Sequence, residues 1–255
     1  MIDFSKYPSD KGVIILTTVK NEFEELYLEV REKEKRIYPD EEVIKLPYTS
    51  SSNPHKKEWE LRTKSYLRYE KYLRTKNNKL NFLDLGCGNG WFTGRLSKTF
   101  NHNYYCIDVN LKELKQGVRL FSYSNLNFIY ADIFEAELPD SSFDIITINS
   151  VIQYFRDLKS LINRLFTFIK KGGEIHLIDS PLYSELEAIN AEFRSLKYYT
   201  STGNPEMAEK YFHHTFDELS SFSYEILFNP LTLKNKVFRL LNINESPFPW
   251  IRIRK

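Results

Sequence analysis

The chain has 255 residues, 42% of them hydrophobic, with 36 basic and 34 acidic side chains and a formal net charge of +2. That is enough apolar material for one large domain, and the charge is too balanced to imply a nucleic-acid partner. No run approaches the ~18 apolar residues of a membrane span, and the opening MIDFSKYPSDKG lacks the apolar segment of a secretory signal. Two cysteines, Cys87 and Cys106, make neither a disulfide framework nor a metal site, so a reduced cytoplasmic setting without membrane or metal is expected.

Residues 13–19 read as a short β run. Asn21 with Glu24 has the form of a capping box, and Phe23, Leu26, Tyr27 and Val30 follow at helical spacing. The run REKEKR at 31–36 reads as a mixed-charge solvated face. Residues 39–53, with two prolines and a Ser/Thr/Asn cluster, are predicted to be a loop with the character of a flap. Asn53-Pro54 predicts the start of a helix that runs to about Lys76. Trp59, Arg62, Tyr66, Tyr69 and Leu73 share one of its faces. Arg62 is the odd member: either its stem packs while its head reaches water, or it faces an anion.

Residues 80–85 have strand length and composition. Glycine then takes alternate positions, Gly86, Gly88 and Gly90, and a helix is predicted from Trp91 to about Phe100. Strand, glycine turn and helix expose backbone N–H groups to a ligand, and glycine lets that ligand approach the backbone. The dinucleotide fingerprint G-x-G-x-x-G fails, because its third glycine would fall on Trp91. Residues 103–109 form the second strand and end in Asp108, an acid placed to accept from two vicinal hydroxyls. Asn110 is predicted to cap a helix from Leu111 to about Phe121. The third strand, 126–130, is followed by Ala131, Asp132 and Ile133, and 142–150 carries the fourth. Asp157 starts a helix with Leu158, Leu161, Ile162, Leu165 and Ile169 on one face, which Lys170, Lys171, Gly172 and Gly173 are expected to end. The fifth strand is 174–179.

Ser180-Pro181 predicts another helix, with Leu182, Leu186, Ile189, Phe193 and Leu196 inward. Residues 197–219 read as an insertion, in which Asn204-Pro205 starts one short helix and Thr215 with Glu218 another. His213 and His214 sit at their junction. Being adjacent, they cannot share a metal as residues i and i+4 would. They are surface or capping histidines, or one of them contacts substrate or acts as a base. Residues 222–228 and 250–254 read as the last two strands, joined by a proline-bearing connection at 230–249. Arg252 and Arg254 are expected on a solvated strand face.

With Asp84 on the first strand, the turn reads D-x-G-x-G-x-G through Gly86, Gly88 and Gly90. This resembles the first motif of the class I S-adenosylmethionine (SAM)-dependent methyltransferases, and acids at two further strand ends, Asp108 and Asp132, join it. The resemblance covers residues 53–255, with a helical lid insertion near 197–219, and leaves 1–52 as an N-terminal helical and loop extension. It implies a three-layer α/β sandwich with a seven-stranded, mostly parallel sheet whose final strand inserts antiparallel. It implies SAM as cofactor and S-adenosylhomocysteine (SAH) as product. Gly86, Cys87, Gly88, Asn89 and Gly90 would approach the methionine part, Asp108 and Val109 would border the ribose, and Asp132 with Ile133 the adenine. Asp84 and Asn149 would flank the amino-acid end, and Arg62 would face its carboxylate. Residues 149–155, NSVIQYF, resemble the stretch beside the reactive methyl group. They lack the N-P-P-Y or D-P-P-Y pattern of adenine and glutamine methylators. The expected activity is methyl transfer to O or N of a small-molecule acceptor, with His213, His214 or Tyr154 as the base. RNA or protein methylation, non-catalytic SAM binding and NAD-dependent dehydrogenation are the alternatives. The oligomeric state is left open.

Overall fold

In this computed structural model, residues 2–232, 235 and 245–255 are described. Four near-continuous apolar runs make the centre of a sheet: β3 (Asn81–Leu85), β4 (Asn103–Asp108), β5 (Leu126–Tyr130) and β6 (Phe143–Asn149). Strands buried on both faces read this way because helices cover each side. They pair in parallel, with Asp84 beside both Cys106 and Thr147 and Asp108 beside Tyr130. The chain runs outward from β3 to β4 and β5, then returns to lay β6 on the other flank of β3. Helices α4 (Trp91–Thr99) and α5 (Leu111–Leu120) make the outward crossings, and α6 (Leu158–Phe168) leads from β6 to β7 (Ile169–Ile178). The reversal at β3 opens a crevice at the carboxyl ends of the strands, where such sheets hold ligands. Asn110 and Asp157 cap α5 and α6 as expected, accepting from Glu113 N and Ser160 N.

Among the described residues the sheet has nine strands, not seven. β9 (Trp250–Arg254) does insert antiparallel between β7 and β8 (Tyr224–Phe228). The two added strands, β1 (Ser9–Asp10) and β2 (Val13–Ile15), form a hairpin whose second strand pairs in parallel with β5. It covers what would otherwise be an open edge of unpaired backbone groups. Residues 1–52 therefore supply strands as well as helix and loop. They then cross above the crevice as α1 (Asn21–Lys33) and the short α2 (Asp40–Val43), the latter inside the stretch expected to be loop. Among the described residues, no helix is long and apolar enough to cross a membrane.

Several helix ends differ from their sequence signals. Lys20, not Asn21, precedes α1 without a side-chain cap, and Glu24 accepts instead from Lys112 N at the start of α5. α3 (Lys56–Leu73) begins after Asn53-Pro54, because Asn53 Oδ1 accepts from His55 N in a turn ahead of the helix. Residues 170–173 do not cap α6: they bulge between Ile169 and Glu174, which both pair with β6, and Lys170 reaches Asp144. α7 (Glu185–Ser201) starts from a capping box of Ser184 and Glu187. Its Ala191 and Tyr199 are buried, so Leu186, Ile189, Phe193 and Leu196, expected inward, are 70, 64, 69 and 49% exposed. α8 (Pro205–Ala208) follows the Asn204-Pro205 signal. Of the connection at 230–249, residues 233, 234 and 236–244 lie outside the described residues.

Arg252 is not on a solvated face. Its side chain is 11% exposed, donates to Tyr72 Oη at 3.1 Å and to Glu174 at 3.3 Å, and pairs with Glu225. Burial alone would raise the Glu174 carboxyl, but His176, Tyr72 and Lys76 beside it outweigh burial and hold it well below the usual carboxylate range. A depressed carboxyl stabilises the fold above its unfolded pKa and loses that contribution as pH falls. Glu174→Gln is thus expected to cost about 3 kcal/mol at neutral pH, the lower end of breaking a buried pair. Thermal denaturation of both proteins should show the gap closing as pH falls below about 4.5.

Candidate active site

A cavity of about 490 Å³ opens at the carboxyl ends of β3, β4, β5 and β6, beneath α1. Its base is the turn Gly86, Cys87, Gly88 and Asn89. Gly86 has φ +71°, and a Cβ there would stand 2.3 Å from Val151 Cγ2, so the loop after β6 closes directly on the turn's backbone. Gly90 is not among the lining residues. It also has a positive φ, and its bare Cα admits the Phe128 ring, which a Cβ would meet at 2.5 Å. Its place is therefore in packing α4 onto β5. Burial pushes the Cys87 thiol up, which leaves it an unreactive neighbour rather than a nucleophile.

Three acids border the turn. Asp108 accepts from Gly88 N at 2.7 Å and from Asn110 N at 2.8 Å, one bond to each oxygen. A carboxylate has about four acceptor sites, so two remain for a ligand, and Val109 lies beside it in the wall. Asp84 is 2% exposed and accepts from the Thr93 and Thr147 hydroxyls, the latter at 2.8 Å, bracing β3 against α4 and β6. Burial pushes it up to about 6. Glu113, in the first turn of α5, also lines the cavity, and burial with the nearby Asp108 charge pushes its carboxyl up to about 8. Sequence reasoning missed Glu113, because an acid three residues after a capping Asn needs no ligand to explain it.

At the end of β5, Asp132 Oδ1 accepts from Phe134 N at 3.0 Å, leaving its second oxygen toward the cavity that Asp132, Ile133 and Phe134 all line. At the end of β6, Asn149 Oδ1 is buried and has no hydrogen-bond partner among the described residues. A buried acceptor left unpaired costs ~1–3 kcal/mol, and Asn149 stands in the cavity wall.

The opposite wall is cationic and aromatic. Arg62 donates to Glu58 at 3.0 Å and lies 5.3 Å over the Trp59 ring, so its stem packs while its head borders the cavity. Glu58 also accepts twice from Arg36, at 3.0 and 2.6 Å. Arg36 and Arg31 both reach Glu34, at 3.3 and 2.6 Å. Arg31 also donates to Tyr154 Oη and lies 4.9 Å over the Tyr27 ring. An alternating chain of three guanidinium groups and two carboxylates thus crosses from α3 to the turn after β6. REKEKR is not a solvated face, since Arg31 and Arg36 both line the cavity. Tyr154 packs against Phe23, Tyr27 and Tyr211 with ring centroids 5.7 to 5.8 Å apart.

Residues 76–245 match a family model described as a methyltransferase domain. The chain belongs to the class I SAM-dependent methyltransferases. An uncharacterised methyltransferase of Mycobacterium tuberculosis is 27% identical to it over 96 residues, 38% of this chain and 48% of that protein. Malonyl-[acyl-carrier protein] O-methyltransferase 2 of Ilyobacter polytropus is 32% identical over 108 residues, 41% of this chain and 40% of that one. The chain spans about half the length of the curated relatives it matches. Phosphoethanolamine N-methyltransferase 2 of Haemonchus contortus, solved with S-adenosyl-L-methionine, shares the fold with a TM-score of 0.55 at 15% identity, covering 91% of this chain and 59% of that one.

The donor set of this methyltransferase fits SAM in charge and in pairing. Asp84, Asp108, Glu113 and Asp132 put carboxyl groups in the cavity wall, the kind of acceptor that hydroxyls, an amine and an ammonium require, and Asn149 stands in the same wall. The two histidines are elsewhere. His214 is 3% exposed, with Nδ1 on Glu218 at 2.8 Å and Nε2 on the Ile152 carbonyl at 3.0 Å, so both nitrogens are engaged in holding the turn after β6. His213 meets Ser195 Oγ at 2.9 Å in a separate cavity, and burial lowers its pKa. Neither borders the main cavity. From residues 197–219 only Lys210 and Phe212 reach it, and α1 forms the larger part of the roof. Tyr154 is the one candidate base that lines it.

Proposed function

We propose that this methyltransferase transfers a methyl group from SAM to an oxygen or nitrogen of a small-molecule acceptor. The observation that carries the reading is the convergence, on one cavity, of the glycine turn, Asp108, Asp132 and Asn149. Asp108 and Val109 take the ribose, and Asp132 with the Ile133 N–H takes the adenine. Gly86, Cys87, Gly88 and Asn89 admit the methionine part, flanked by Asp84. Asn149 accepts from the ammonium and Arg62 faces the carboxylate. When bound, SAM supplies an electrophilic methyl on a sulfonium centre. Most of what the protein must add is alignment and dryness, and positioning alone supplies ~7–11 kcal/mol of such a barrier. The aromatic wall and α1 exclude water from the acceptor side. A volume of about 490 Å³ falls in the ~300–1,000 Å³ range of small-molecule pockets.

Where the acceptor is a hydroxyl, a proton must leave it, and Tyr154 is the group placed to receive that proton. Arg31 donates to its phenol oxygen, which fixes where that oxygen stands in the cavity wall. Tyr154→Phe is expected to lower kcat about 100-fold, the lower end of general-base effects, with SAH affinity unchanged by calorimetry. An unchanged kcat would remove Tyr154 from the chemistry. The function itself is tested by incubating the protein with methyl-labelled SAM and a metabolite extract. Label should appear in a small product; label confined to RNA or protein would overturn the reading.

A further inference from the structure

We propose that a second cavity, across Arg31 and Arg36 from the cofactor crevice, binds a phosphate or carboxylate group. That group is either the far end of the methyl acceptor or a free anion acting on the same lid. The acceptor version rests on the methyl-transfer reading; the anion site itself does not.

This cavity measures about 400 Å³. Its walls come from two segments that do not build the sheet's centre: residues 31–36 at the end of α1 and just beyond it, and 183–213 around α7. Three guanidinium groups face it, from Arg31, Arg36 and Arg194, against the single carboxylate of Glu34. Glu34 is already engaged, by Arg31 at 2.6 Å, by Arg36 at 3.3 Å and by the Tyr198 hydroxyl at 2.9 Å. Arg194 makes no ion pair or hydrogen bond with any described residue through its guanidinium. It lines this cavity beside Tyr183 and His213, where its charge is opposed by the nearby Glu187 and Glu192. A planar guanidinium fork with free N–H groups matches the two oxygens of a phosphate or carboxylate. Around it stand neutral donors: the hydroxyls of Ser195, Tyr183 and Tyr211, and the imidazole of His213. Among the lining side chains three cations stand against one acid already engaged, with Glu187 and Glu192 outside the lining, and this balance selects an anion over a cation or a neutral sugar.

The two cavities share a wall. Arg31 holds Glu34 on one side and Tyr154 on the other. An anion that draws Arg31 or Arg36 toward the second cavity therefore acts on the residue placed to take the acceptor's proton.

The test is calorimetric titration of the SAH-saturated full chain with inorganic phosphate at constant ionic strength. Wild type should show saturable binding. R194Q, a change at an exposed side chain that leaves the fold intact, should weaken it about tenfold or more, as the loss of a charge-assisted pair implies. SAH affinity should stay the same in both. No saturable phosphate binding in wild type, or equal binding in R194Q, would overturn the site. Labelled methyl transfer into the metabolite extract then separates the two sources. Phosphate that lowers transfer in wild type but not in R194Q assigns the site to the acceptor's own anionic end. Phosphate that raises transfer, or leaves it unchanged while binding, assigns it to a free anion. If no label appears in any small product, the methyl-transfer reading fails while the titration still decides the site.

Discussion

Gly86→Ala is expected to reduce SAH affinity more than 100-fold, about 3 kcal/mol, with the fold retained by circular dichroism. Two costs arise at this position. The backbone sits at φ +71°, where a residue with a Cβ is strained by ~1–2 kcal/mol. The added methyl also falls 2.3 and 2.7 Å from the two Val151 methyls, so either the turn or the loop after β6 must move. The turn is held by hydrogen bonds from Gly86 N and Cys87 N to the Ile107 carbonyl, at 2.8 and 3.2 Å. Its displacement drags Gly88 N away from Asp108 and closes the space against which the methionine part would lie. A second variant separates the two costs. Gly86→Ala with Val151→Ala removes the clash but not the backbone strain, so it should recover part of the affinity, whereas Val151→Ala alone should bind almost as wild type. Binding within about threefold of wild type in Gly86→Ala would show that the turn is not the cofactor's seat.

The centre of this fold is legible in the sequence because its signals are local. Residues 126–130 and 103–108 are mostly apolar since helices cover both faces, and glycine stands at Gly86 because a Cβ there would strain the positive φ and strike Val151. Asp108 and Asp132 stand at strand ends, where periodicity places them without any knowledge of partners. The periphery is legible only in part. β1 and β2 are two and three residues long, and a strand that short exists because of the edge it covers, not because of its own composition. The apolar stripe of α7 identifies a helix correctly but cannot say which side the core lies on. Ala191 and Tyr199, weaker members of the pattern, are the ones that are buried.

The same limit explains the charged residues. REKEKR looks solvated because its partners are remote: Arg36 finds Glu58, and Arg31 finds Tyr154. His213 and His214 drew attention as the obvious base candidates in an insertion, yet hydrogen bonds to Ser195, Glu218 and a main-chain carbonyl occupy them. What the additions to the core contribute is a lid whose cations face a crevice lined with acids. Arg36 and Asp84, on the two sides, are 48 positions apart in sequence, and only the crossing of α1 above the strands brings the two populations together.

That crowding of acids makes stability depend on pH through Glu113, and the sign is specific. Its carboxyl, 4.5 in its ordinary state, is pushed up to about 8 first by burial and then by the charge of Asp108, with Glu24 adding and Arg31 opposing. Between those two values the folded chain holds a proton that the unfolded chain has released. Folding stability therefore falls as pH rises through about 4.5 to 8, and the full penalty is present above that. At about 1.4 kcal/mol per pKa unit, the loss reaches a few kcal/mol. Glu113→Gln cannot ionise and keeps the Asn110 contact available on the same side chain. In urea unfolding it should match wild type near pH 4.5 and become progressively more stable than wild type up to about pH 8, after which the two curves run parallel. Burial raises the Asp108 carboxyl as well, but backbone N–H bonds to both of its oxygens oppose that rise, and Glu113 has no such support. Curves that stay parallel from about pH 5 to 9 would mean that Glu113 is ionised in the fold, and that the cofactor crevice tolerates two adjacent charges at its ribose end.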